Sequence, residues 1–90
     1  MENTDYTIEA EGRQILVEQQ KNQTAKYIVG QLIMERKKQG LTQQNIADAT
    51  GMKTPNVTRF ESCKYTPSLD VLMKYANALG KKISIELVDM

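Results

Sequence analysis

Gly51 sits between two short segments that each carry apolar residues at helical spacing, and this pairing constrains the chain more than any other feature. Before it stand Ile46, Ala47 and Thr50; after it stand Val57 and Phe60. Thr42 is suited to cap a helix predicted over 43–50. Pro55 falls in the first turn of a helix predicted over about 54–62, where its missing N–H costs nothing. Gly51 permits the positive φ that a tight turn between them requires. Ala47 is small where the two helices must cross closely. The rest of the chain reads as support for this pair or as attachments to it.

Upstream, Thr24 is the expected N-cap of a helix running to about Gln39. Its face carries Ile28, Leu32, Ile33 and Arg36. Lys37 and Lys38 suit the negative end of its dipole, and Gly40 is the natural terminator. Downstream, Pro67 breaks the chain and Ser68 caps a helix predicted over 69–79, with Leu69, Leu72, Tyr75, Ala76 and Leu79 as its stripe and Gly80 as its end. Residues 82–88 alternate apolar and polar, which is a strand pattern. Residues 1–23 are polar and acidic; 13–20 fit either a short helix or a strand, and the first several residues are expected to be mobile. The expected organisation is an N-terminal extension over 1–23, a helical domain over 24–80 and a tail over 81–90.

Ninety residues make one small domain. A single cysteine allows no internal disulfide, and the absence of histidine removes the usual metal ligand and the usual general base. No apolar run reaches membrane-spanning length and no secretory signal pattern opens the chain. No phosphate-cradling glycine loop and no nucleophile–base pair is present. These features fit a cytoplasmic protein that is not an enzyme and uses no cofactor or metal. The net charge is only +1, but it is unevenly spread. Residues 1–20 hold five acidic residues against Arg13; the remainder holds eleven basic against six acidic. Within 36–64, Arg36, Lys37, Lys38, Lys53, Arg59 and Lys64 face only Asp48 and Glu61. A basic face with an acidic appendage is one reading of that split, and an ordinary solvated surface is the other.

Two helices about a tight turn, the second rich in polar side chains, have the layout of a helix-turn-helix. The ordered set Arg36, Gly40-Leu41-Thr42-Gln43, Ile46-Ala47, Gly51, Val57, Arg59, Glu61, Pro67-Ser68-Leu69 and Ala76-Asn77-Ala78-Leu79-Gly80 resembles the phage-repressor/Cro-like helix-turn-helix family, also called the XRE family. The resemblance covers about half the chain. It implies a mainly α fold, a lambda-repressor-like helical bundle containing the helix-turn-helix, here followed by a short C-terminal β-strand. It also implies that the second motif helix enters the DNA major groove. Three positions depart from the family pattern: Lys53 stands where Ser or Thr usually caps the recognition helix, Cys63 replaces a common glycine, and Asn45 replaces the usual Glu of a capping box.

In that geometry Thr54, Pro55, Asn56, Thr58 and Arg59 are the candidate base readers. Arg59 can bond guanine O6 and N7 together, and Asn56 can pair with adenine or a phosphate. Thr54 and Pro55 can touch a thymine methyl. Thr42, Gln43, Lys53, Ser62, Lys64 and Tyr65 are the candidate phosphate contacts, with packing over the last helix as the alternative for Tyr65. Arg36 and Glu61 each fall on a largely apolar face, where an unpaired charge is expensive. The resemblance implies that they join in a buried ion pair. Cys63 reads as a small packing residue rather than a reactive thiol.

The expected function is that of a sequence-specific repressor, binding double-stranded DNA as a homodimer on a palindromic operator. Ile83, Ile85 and Leu87 share one face of the tail strand and are the expected dimerisation residues. The rival is pairing with an N-terminal strand of the same chain. The polar extension and the ending from Gly80 to Leu87 also resemble, less closely, the antitoxins paired with RelE/HigB-type ribonuclease toxins. That likeness implies a toxin protein as a further partner. A helix-turn-helix used only as a protein adaptor is a third class, and the polar set Gln43, Thr54, Asn56 and Arg59 argues against it.

Overall fold

The computed structural model describes residues 11–89. Its helices are α1 (Glu11–Lys38), α2 (Gln43–Thr50), α3 (Thr54–Glu61) and α4 (Leu69–Ala78). Most of their ends are set by local chemistry. Thr42 accepts a hydrogen bond from the Asn45 amide, and the Asn45 side chain accepts one from the Thr42 amide, so asparagine completes the capping box in place of glutamate. Ser68 caps α4 through the Val71 amide. The far ends of α1 and α4 are both Schellman motifs. Gly40 and Gly80 take positive φ while Leu41 and Lys81 donate back to the Arg36 and Ala76 carbonyls at 3.0 and 2.9 Å.

The core draws on all four helices: Val29 and Leu32 from α1, Ile46 and Ala47 from α2, Val57 and Phe60 from α3, and Leu72, Tyr75 and Ala76 from α4, with Leu79 just beyond. Phe60 and Tyr75 pack as tilted rings with centroids 5.1 Å apart. The turn at Gly51 has φ 79°, and its N–H closes α2 on the Ala47 carbonyl. None of the helices among the described residues is long and apolar enough to cross a membrane.

The structure corrects four expectations. Thr24 caps nothing, because α1 runs unbroken through it from Glu11. No proline or strong turn signal interrupts 11–23, so a helix anchored by its buried C-terminal half propagates upstream at little cost per residue. The same helix rules out a strand over 13–20. Leu69 opens α4 but is 57% exposed, so the buried stripe begins at Leu72. Residues 82–88 form no strand: Ile83 packs against the core, while Ile85, Leu87 and Val88 are exposed. A strand requires a neighbour to complete its ladder, and among the described residues none lies beside it. Val29, which the sequence reading passed over, is buried, whereas Ile28 and Ile33 are only half-buried. The expectation for the first residues lies outside the described part.

Candidate nucleic-acid interface

The site is built on a buried polar cluster. The Arg36 Nε donates to Glu61 Oε2 at 2.9 Å and its Nη2 to Glu61 Oε1 at 3.0 Å, the two-pronged geometry that suits guanidinium and carboxylate. Arg36 is 8% exposed. Its Nη1 donates to the Leu41 carbonyl at 2.8 Å, tying the α1–α2 connection to the same group. The Tyr75 hydroxyl donates to Glu61 Oε2 at 2.6 Å. The expected pair is therefore a triad linking α1, α3 and α4.

Burial alone would raise the Glu61 carboxyl, but the hydrogen bonds from Tyr75, Arg36 and Gln43 outweigh it and hold it below its ordinary value. Burial would likewise lower the Arg36 guanidinium, and its bonds to Glu61 and Tyr75 reverse that. The Tyr75 phenol is pushed well up by burial and by the carboxylate beside it. Tyr75's polar role was missed at the sequence level. The available signal was a phenol on a buried stripe, since a buried tyrosine hydroxyl needs a partner.

Outward from this cluster lies the expected DNA-facing surface. On α3, Val57 and Phe60 point into the core, leaving Pro55, Asn56, Thr58 and Arg59 exposed and Thr54 half-exposed. Two clasps join α3 to α2. The Thr54 hydroxyl donates to Gln44 Oε1 at 2.7 Å, and the Thr58 hydroxyl donates to Gln43 Oε1 at 2.6 Å. Gln43 in turn donates through Nε2 to Glu61 Oε1 at 3.0 Å. Gln44 entered none of the sequence expectations, since its partner lies across the turn. The Arg59 guanidinium lies 4.7 Å from the centre of the Tyr65 ring. At an exposed site such a contact is worth about 0.5–1 kcal/mol, little enough for Arg59 to exchange it for a stronger acceptor.

The remaining expected phosphate contacts flank this face. Lys53 occupies the N-cap of α3 in an extended conformation and makes no side-chain cap bond, so the helix begins at Thr54 despite the departure from the family pattern. Lys53 and Lys64 are exposed. Thr42 and Ser62 have helix-end duties: Thr42 caps α2, and the Ser62 hydroxyl donates to the Arg59 carbonyl. Tyr65 serves as a platform under Arg59. Cys63 takes φ 59°, which explains why glycine is common at this position.

Residues 32–85, more than half the chain, match the family model described as helix-turn-helix. An uncharacterized HTH-type transcriptional regulator of Haemophilus influenzae is 33% identical over 58 residues, which are 64% of this chain and 59% of that protein. The match thus spans less than two thirds of that relative's length. No solved structure matches the chain. The matched span contains the capped α2, the Gly51 turn, α3 and the Arg36–Glu61 pair. The chain belongs to the XRE-type helix-turn-helix family.

Proposed function

We propose that this protein is a repressor that binds a palindromic operator as a homodimer, with α3 as the recognition helix. The observation that carries the reading is the outward face of α3, where Pro55, Asn56 and Arg59 stand exposed on a helix whose opposite face is sealed by Val57 and Phe60. Arg59 and Asn56 read base edges, Thr54 and Pro55 touch methyl groups, and Gln43, Lys53 and Lys64 contact the backbone. Replacing Arg59 with Ala should weaken operator binding by about 1–3 kcal/mol and relax preference at one base pair per half-site. Titrations against operator and scrambled duplex at fixed salt check this, and an equal loss on both duplexes would remove the base-reading role.

Dimerisation is supported by the apolar surface that one chain leaves open. Tyr27, Ile28 and Met34 of α1 and Ile83 and Ile85 of the tail line a single groove, and Leu87 just beyond it is fully exposed. Two tails paired across a two-fold axis would complete each other's ladder and hold the recognition helices roughly 34 Å apart, one DNA turn.

A second reading, an antitoxin that blocks a RelE/HigB-type toxin and represses its own operon, is supported by the N-terminal half of α1. The helix has 28 residues, about 42 Å, and Val17 through Thr24 are all exposed. That segment lies upstream of the family match and is a helical arm suited to a protein partner. Co-purification with the product of an adjacent toxin-like reading frame tests it. A complex that survives deletion of residues 1–23 would rule out the arm as the toxin contact.

A further inference from the structure

Gln43 is the one side chain of the expected DNA surface that bonds directly to the buried triad. Glu61 accepts four hydrogen bonds: Tyr75 and Arg36 at Oε2, Arg36 and Gln43 at Oε1. An ionised carboxylate only accepts, so the end of the Gln43 amide that faces it must be the nitrogen. The amide oxygen is thereby turned toward α3, where the Thr58 hydroxyl donates to it. Both ends of the amide are held, and one N–H of its NH2 group is left over. Gln43 opens α2, where backbone N–H groups are also without helical partners. A long, flexible side chain is thus ordered before any DNA arrives, which lowers the entropy lost on binding.

We propose that Thr58 and Glu61 are positioning residues for Gln43, and that Thr58 serves DNA binding through Gln43 rather than by reading a base. The clasp aims the remaining Gln43 N–H, together with the first amides of α2, at a DNA phosphate. Thr58 therefore leaves the set of base readers, while Asn56 and Arg59 remain in it. This assignment rests on the DNA-binding reading above.

The experiment uses the full chain and a duplex that the wild-type protein selects from a random library. Binding is titrated at one salt concentration for wild type, Thr58→Val, Gln43→Ala and the double variant. Thr58→Val keeps the branched shape and removes one exposed hydroxyl, so the fold should persist, and its thermal midpoint verifies that. Loss of one hydrogen bond should weaken binding about three- to tenfold in the wild-type background and have no further effect in the Gln43→Ala background. Thr58→Ser, which restores the hydroxyl without the methyl, should recover most of the affinity. In the free protein, Thr58→Val should move the Gln43 side-chain amide resonances. The assignment is overturned if Thr58→Val costs as much without Gln43 as with it, if serine fails to rescue, or if the Gln43 resonances do not move. Should the wild-type protein select no duplex at all, the DNA-binding reading itself falls, a result distinct from each of these.

Discussion

The two sides of α1 end very differently. One side carries Val29, Leu32 and Arg36 into a core where each apolar group is covered and each polar group is paired. The other side carries Tyr27 and Met34, which are 66% and 72% exposed and share a groove with a tail that forms no strand pairing among the described residues. The core residues from Val29 to Leu79 cover one another without outside help. The outer face of α1 and most of residues 82–88 do not, and exposed apolar surface is a common feature of interaction sites in general. Under the proposed function, the finished side would hold the reading head and the unfinished side would be where assembly occurs.

The sharpest way to break the finished side is to remove one member of its triad. Arg36→Ala or Glu61→Ala should destabilise the fold by about 3–5 kcal/mol, because the other charge is left buried without its partner. Double-mutant analysis of thermal unfolding measures the coupling, and a value near zero would mean that the pair is idle. For the unfinished side, deletion of 82–90 should yield a folded monomer that binds a full operator about a hundredfold more weakly and no longer prefers a palindrome. Sedimentation of the truncated chain decides this; if it stays a tight dimer, the outer face of α1 is the next candidate.

Acid should attack the finished side selectively. The Glu61 carboxyl is held below its ordinary value of 4.5 in the folded chain. Its contribution to stability is therefore fully present above 4.5 and is lost as pH falls through the lower folded value. Urea midpoints between pH 6 and 3 should fall more steeply for wild type than for Glu61→Gln, which lacks the titrating group. Parallel curves would assign the acid sensitivity elsewhere. The smallest effect is expected at Cys63, which is the non-glycine residue with positive φ among those described. Relief of left-handed strain, about 1–2 kcal/mol, is opposed by the greater unfolded-state freedom of glycine and by lost packing. Cys63→Gly should therefore stabilise by under about 1 kcal/mol, and a lowered thermal midpoint would show that the sulfur's packing outweighs the strain.

Features governed by a few adjacent residues were legible in the sequence. The caps at Thr42 and Ser68, the left-handed glycines 40, 51 and 80, and Pro55 in the first turn of α3 each act over one turn of backbone, so short spacing suffices to read them. The inward faces of α2 and α3 and the meeting of Arg36 with Glu61 were legible as well. The pairing came from the family resemblance, with the expense of a lone charge on an apolar face as its physical reason. What depended on neighbours distant in the chain was not legible. Tyr75 looked like a core residue until its hydroxyl was seen on Glu61, and Gln43 was read only as a phosphate contact until Thr58 and Glu61 were seen at its two ends. Leu69 fits its stripe by spacing, yet it sits at the start of α4, where no other helix covers it. The alternation in 82–88 records a capacity to form a strand, and whether a strand forms depends on a second one alongside. Local chemistry set most of the helix ends and the turn. Tertiary packing alone decided which polar groups hold one another in place and which apolar groups are left to seek cover.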